Sequence, residues 1–199
     1  MRRTHPKPTK IPGRCNVIPL RPYQHDCLAA VASGWSQFRR QLIIAPTGAG
    51  KTILFSHIAR AHLPQRTLII AHREELLDQA ITKLHRSTGI FAQKEKADAS
   101  ASPLAEVVVA SIQTLARRLH KWPADHFGLI VIDEAHHATA DSYRAVLAHF
   151  DARARVLGVT ATPDRADRQA LGSYFENIAF ELPLFELIHD GYLAPIKVK

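Results

Sequence analysis

The 199-residue chain holds 26 Lys and Arg against 18 Asp and Glu, a net charge of +8, with 46% apolar and 22% charged residues. That is the balance of a globular chain, one large domain or two small ones, with a core to bury, and no apolar run approaches the roughly 20 residues of a membrane helix. Cys15 and Cys27 form neither a disulfide framework nor a zinc spacing, and the basic N-terminus lacks the apolar stretch of a signal peptide, so a reduced, cytoplasmic setting is expected. The charge is uneven: residues 1–14 carry Arg2, Arg3, Lys7, Lys10 and Arg14 and no acid, leaving +3 for the rest. Pro6, Pro8 and Pro12 argue against a helix or central strand there. Residues 1–16 read as a flexible tail, either a solvated leader or an arm for a phosphate backbone. Residues 17–199 read as the folded domain.

After the tail, Pro22 stands at the start of an amphipathic helix over 25–38, with Cys27, Leu28, Val31 and Trp35 near one face. Leu42–Ala45 is a short apolar run, followed by Pro46-Thr47-Gly48-Ala49-Gly50 and then by Lys51-Thr52, which opens a helix that runs out before Pro64. Strand, glycine loop and helix together bring backbone N–H groups onto a phosphate chain at a helix N-terminus. Glycine lets the backbone approach closely; Lys51 would reach the β- and γ-phosphates and the Thr52 hydroxyl would ligate Mg²⁺. The strict pattern asks for glycine at Ala45.

Thr67–Ala71 is a second strand, followed by a helix with Leu76, Leu77, Ala80, Ile81 and Leu84 at helical spacing. Gly89–Gln93 reads as a short strand, and Lys94–Glu106 as the main internal loop and the place for disorder or insertion. Val107–Ala110 is a third buried strand, leading through Ser111-Ile112-Gln113-Thr114 to a basic helix with Arg117, Arg118 and Lys121. Leu129–Ile132 is a fourth and ends in Asp133-Glu134-Ala135-His136-His137; Tyr143, Val146, Leu147 and Phe150 make one helical face; Val156–Thr160 is a fifth, ending in Ala161-Thr162-Pro163. The remainder predicts a helix over 167–174, a strand over 178–182, a helix over 185–189, a turn at Gly191 and a strand over 196–198. Continuous apolar strands alternating with amphipathic helices specify an α/β fold, a parallel sheet with helices on both faces. The polar clusters fall at the carboxyl ends of the strands, where such sheets bind ligands.

Asp133 and Glu134 end an apolar strand, and two carboxylates there need compensation, which a hydrated Mg²⁺ beside a triphosphate supplies. Asp133 would hold the metal through water and Glu134 would orient and activate the attacking water. His136 and His137, being adjacent, cannot share a helical face, and no zinc-hydrolase spacing is present.

APTGAGKT, DEAH and TATP, in that order, resemble motifs I, II and III of superfamily 2 helicases and translocases. LRPYQ resembles the adenine-reading Q motif, AHREELLDQA motif Ia, and ASIQTL the motif between Ia and II; GVTATPDRAD and LIHDGYLAPI are similar to the restriction-type (ResIII) branch of DEAD/DEAH-box proteins. The resemblance implies the N-terminal RecA-like lobe of a P-loop NTPase. It implies that Gln24 reads the adenine edge with Arg21 or Tyr23 nearby. Thr47, Gly48, Ala49, Gly50, Lys51 and Thr52 would hold the phosphates and Mg²⁺, and Asp133 and Glu134 would keep the roles above. His136 would couple the ATP site to motif III, whose hydroxyls are Thr160 and Thr162. His72 and Arg73, with Ser111, Gln113 and Thr114, would touch the sugar-phosphate backbone of one nucleic-acid strand, and helix capping with ordinary surface is the alternative for those five. Arg168 stands where the branch often has glycine, so a different loop is expected there. Motifs IV to VI and their arginine fingers, which belong to a second RecA-like lobe, have no counterpart after Thr162. The expected function is an ATP-dependent DNA helicase or translocase motor lobe that hydrolyses ATP slowly alone and needs that second lobe in cis or in trans. The alternative is a nucleotide- and nucleic-acid-binding module without useful turnover.

Overall fold

A computed structural model of the chain describes residues 19–71, 75–150 and 153–195. The tail reading of residues 1–16, the contacts assigned to His72 and Arg73, and the strand expected over 196–198 lie outside the described residues. The elements run α1 (Pro22–Gly34), β1 (Arg40–Ile44), α2 (Lys51–His62), β2 (Thr67–Ala71), α3 (Glu75–Thr88), β3 (Ala92–Glu95), β4 (Val107–Ser111) and α4 (Ile112–Arg117). They continue with β5 (Leu129–Asp133), α5 (Asp141–Phe150), β6 (Arg155–Thr160), α6 (Arg165–Gly172), β7 (Asn177–Glu181) and α7 (Leu184–His189).

The seven strands form one sheet in the order β3-β4-β2-β5-β6-β1-β7, parallel at every pairing. Side chains alternate between the faces of each strand, and both faces are apolar in the central ones. Leu42, Ile44, Leu68, Ile70, Ile130 and Ile132 join Leu115 of α4, Tyr143 and Phe150 of α5 and Leu171 of α6 in one core. Ile43, Ile69, Val109, Val131 and Val159 join Cys27 of α1, Phe55 of α2, Leu77 and Leu84 of α3 and Leu187 of α7 in the other. The doubly covered parallel sheet expected from the periodicity is thus what the chain adopts.

Three boundaries differ for local reasons. The first helix starts at Pro22, because Gln24 Oε1 accepts from the Arg21 N–H at 2.9 Å and caps it there. It ends at Gly34, where a Cβ would lie 1.9 Å from Gln41 Oε1. The basic helix expected after Ser111 is split into α4 and a single 3-10 turn, Leu119–Lys121. The edge strand is Ala92–Glu95 rather than Gly89–Gln93, so the expected loop is shorter at its start. That loop is also tied down: Glu95 is fully buried and accepts from Arg118 Nη1 and Lys121 Nζ, both at 2.6 Å, and from the Ala101 N–H at 2.9 Å. Arg168 lies within α6 and pairs with Glu181.

Because every strand points the same way, Ile44, Ala71, Ser111, Asp133 and Thr160 all end at one edge of the sheet. Ile44 stands opposite Thr160 and Asp133 opposite Val159, so the glycine loop, the acid pair and the Thr160 segment emerge side by side.

Candidate active site

The glycine loop leaves β1 with the Ala45 N–H bonded to the Thr160 carbonyl at 3.0 Å. Gly48 and Gly50 have φ of 90° and 79°, left-handed values that a side chain would strain. A Cβ on Gly50 would also lie 2.7 Å from Gln24 Nε2. Gly50 caps α2 without a side chain, which leaves the first N–H groups of that helix open. Ala45 is fully buried in the core and does not have positive φ, so glycine is not required where the strict pattern asks for it. Lys51 Nζ folds inward and donates to the Ala45 carbonyl at 3.3 Å.

Across from the loop, β5 ends in Asp133. Burial pushes its carboxyl above the usual range, the neighbouring Glu134 charge adds to this, and Lys51 and Lys83 pull the other way. Glu134 has φ of 53°, the one positive value for a non-glycine residue among those described. Such backbone strain costs on the order of 1 kcal/mol and concentrates at functional sites. His136 Nδ1 lies 3.0 Å from Thr160 Oγ1 and 3.5 Å from Glu134 Oε2, so one imidazole joins the acid pair to the end of β6. Thr160 is buried, whereas Thr162 is exposed.

Between loop and acid pair lies a pocket of about 380 Å³ lined by Thr47, Gly48, Gly50, Lys51, Thr52, Asp133 and Glu134. Its remaining wall is α3, through Leu76, Gln79, Ala80 and Lys83. Sequence reasoning missed Gln79 and Lys83. Both sit on a helix whose periodicity marks only its apolar face, and nothing local says that the polar flank meets a pocket.

Arg21, Tyr23 and Gln24 gather on the outer side of the loop. Tyr23 Oη donates to the Ala49 carbonyl at 2.9 Å, Gln24 Nε2 donates to the same oxygen at 3.2 Å, and Arg21 Nη1 donates to Tyr23 Oη at 3.0 Å. Gln24 is therefore buried against the loop with both ends of its amide engaged.

Ser111, which ends β4, and Gln113 and Thr114 of α4 do not line the pocket. Ser111 is fully buried, its hydroxyl donates to Thr114 Oγ1 at 3.0 Å, and it caps α4 by accepting from the Thr114 N–H. Thr114 is likewise buried, and Gln113 alone of the three is exposed. Ser111 and Thr114 thus show the helix-capping alternative, their hydroxyls turned inward and engaged with each other.

The residues fit a magnesium-bound polyphosphate. Glycines open the backbone, an amine and a hydroxyl stand at the helix start, and a half-buried carboxylate whose charged form is disfavoured stands beside a second one. Mg²⁺ takes one or two side chains and completes its shell with phosphate and water. No cluster of three His, Cys, Asp or Glu side chains that could hold a metal ion stands among the described residues. Burial pushes the Cys27 thiol up to about 12, far from a reactive thiolate. No helix among the described residues is long and apolar enough to cross a membrane.

A family model described as "Type III restriction enzyme, res subunit" matches residues 17–165. The chain is similar to IRC3 of Saccharomyces cerevisiae, named as an ATP-dependent helicase: 36% identity over 207 residues, covering 94% of this chain and 30% of that protein. It is 29% identical to the type I restriction enzyme EcoAI endonuclease subunit of Escherichia coli, over 86% of this chain and 22% of that one. The chain thus spans about a third or less of the length of these curated relatives. Among solved structures, the Hef helicase domain of Pyrococcus furiosus superposes with a TM-score of 0.67 at 24% identity, covering 81% of this chain and 37% of that one. That likeness shows the fold alone, a RecA-like parallel sheet covered by helices on both faces.

Proposed function

The chain belongs to the family of the type III restriction enzyme res subunit, and from that premise we propose that it is the ATP-binding motor lobe of an ATP-dependent DNA helicase or translocase. The observation that carries this reading is the pocket in which Lys51 and Thr52 face Asp133 and Glu134, with His136 tying that acid pair to Thr160. Lys51, now on the Ala45 carbonyl, swings to the β- and γ-phosphates and neutralises charge there. The Thr52 hydroxyl and Asp133 hold Mg²⁺, which when bound offsets the negative charge of the phosphates. Glu134 orients the attacking water and accepts its proton. Arg21 and Gln24 serve the base, Gln24 through the second N–H of the amide that already holds the Ala49 carbonyl and the Arg21 N–H, and Thr47–Gly50 offer backbone N–H groups to the phosphates. His136 and Thr160, with Thr162 beyond, pass the state of the nucleotide to the strand-binding side.

Gln113 is the described residue on that side free to meet a sugar-phosphate backbone, a contact largely independent of sequence. The likeness to a restriction-enzyme subunit favours DNA as the track. A second RecA-like lobe, in the same chain or a partner, supplies the arginine fingers. The test is titration of the protein with Mg·ATP: the wild type binds and Lys51→Ala does not. Unchanged binding by Lys51→Ala would sink the assignment.

A further inference from the structure

A second cavity, of about 270 Å³, lies between α1 and α2. It opens at the other edge of the sheet from the phosphate loop. Arg155, the first residue of β6, lines the cavity, whereas Thr160 at the far end of that strand stands opposite Ile44, where the loop begins. Helix α2 likewise runs from Lys51 at the loop to His62 at the cavity, roughly 16 Å along its axis. Protein interiors are close-packed, so a gap of this size has a local cause. Ala32 of α1 and Ala61 of α2 both line it and are too small to close the space between the helices.

Leu28, Val31, Trp35 and Ile58 make the apolar walls. Val31 and Ile58 belong to the buried core, and Leu28 and Trp35 pack against it. Three polar side chains join them. The Arg155 guanidinium lies 5.4 Å over the Trp35 ring and has no carboxylate partner among the described residues. Burial holds His57 below the usual imidazole range, with the Arg60 and His25 charges adding to it. Burial and the Arg155 charge do the same to His62, against the pull of the Gly128 backbone. Both imidazoles are neutral at pH 7, so Arg155 carries the charge of the lining. His57 Nε2 is buried without a hydrogen-bond partner.

An unpaired guanidinium on the face of an indole, in an apolar cavity, selects a flat apolar body that carries one carboxylate. A polyphosphate would bring several charges to a single cation, and a neutral ring would leave that cation unpaired. The volume of about 270 Å³ is just under the usual span of ligand pockets, about 300–1,000 Å³, so a bicyclic acid fits and a helix does not. We propose that the cavity between α1 and α2 is a binding site for a small aromatic monocarboxylate, with its ring against Trp35 and its carboxylate on Arg155. A turn of the His57 ring gives the second carboxylate oxygen a donor. The site is separate from the nucleotide pocket and stands whether or not the ATP reading does.

The test is calorimetric titration of the 199-residue chain with three probes. These are 2-naphthoate, 2-naphthalenemethanol, which keeps the rings and drops the charge, and acetate, which keeps the charge and drops the rings. The wild type should bind the naphthoate roughly tenfold or more tightly than the alcohol, the ratio that one charge-assisted hydrogen bond confers, and acetate not measurably. Arg155→Met keeps the stem of the side chain and should bind acid and alcohol alike, with an unchanged melting curve showing that it is folded. Saturating Mg·ATP should leave naphthoate binding as it was. The proposal is overturned if the wild type shows no saturable naphthoate binding up to about 1 mM, or binds acid and alcohol equally. It is overturned as well if folded Arg155→Met keeps the preference, or if ATP displaces the acid. A dimer in sedimentation that Arg155→Met dissociates would assign the cavity to a second copy of the chain instead. Should Arg155→Met not fold, the comparison of acid with alcohol on the wild type decides alone.

Discussion

Asp133 ends β5 with its carboxylate largely out of water, Glu134 beside it, and the Glu134 N–H donating to Oδ1 at 3.1 Å. Its acidity is lowered by burial first and by Glu134 second, so in the ligand-free protein the charged form is a burden on the fold. Asp133→Asn keeps the shape and removes the charge. Relief of about 1 kcal/mol corresponds to a rise of roughly 2–4 °C in Tm for a chain of this size. A ligand-free thermal melt checks it: Asp133→Asn should melt above the wild type while losing Mg-dependent ATP binding. A lower melting temperature would mean that Lys51 and Lys83 already compensate the charge.

At the scale of elements, β3 shows how an exposed sheet edge is held. Its strand is short and half exposed, and a single buried carboxylate anchors it to the turn after α4. Burial alone would raise the pKa of Glu95 above the ordinary value, but hydrogen bonds from Lys121, Arg118 and the Ala101 N–H outweigh it and hold the carboxyl below. A depressed carboxyl contributes stability above its unfolded value, and that contribution disappears as pH falls through the lower folded value. Glu95→Gln should therefore cost about 2 kcal/mol at neutral pH, the low side for a broken buried pair because both cations keep access to water. The gap to the wild type should close as the pH drops below the ordinary glutamate value of 4.5. Denaturant unfolding at several pH values measures it, and a gap independent of pH would show that packing, not charge, anchors the edge.

At the scale of the molecule, the described residues bring a phosphate loop and an acid pair together at the carboxyl end of one sheet, and the proposed reading assigns the remaining cation to a second RecA-like lobe. Arginine fingers are worth roughly 10³–10⁵ in turnover. The 199-residue chain alone should bind Mg·ATP and hydrolyse it at least about 10³-fold more slowly than a two-lobed protein carrying it, with the residual rate removed by Glu134→Gln. Single-turnover hydrolysis by the chain and by the longer protein compares them. Equal rates would mean that the site is complete within one lobe.

The central strands, the glycine loop, the acid pair and the placing of polar clusters at strand ends were legible in the residues because each depends on neighbours in the chain. Apolar run length, positive φ at Gly48 and Gly50, and alternation of strand with helix are local quantities. The edge strand, the inward hydroxyls of Ser111 and Thr114, the pocket wall from Gln79 and Lys83, and the meeting of Arg155 with Trp35 were not. Each joins residues distant in sequence, as Glu95 joins Lys121 or Tyr23 joins Ala49. The sequence by itself determined which chemical groups stand at strand ends, since periodicity and covalent neighbours settle that. Only the tertiary structure decided which of them meet, because the order β5-β6-β1 sets Lys51 across from Asp133 and leaves His136 within reach of Thr160.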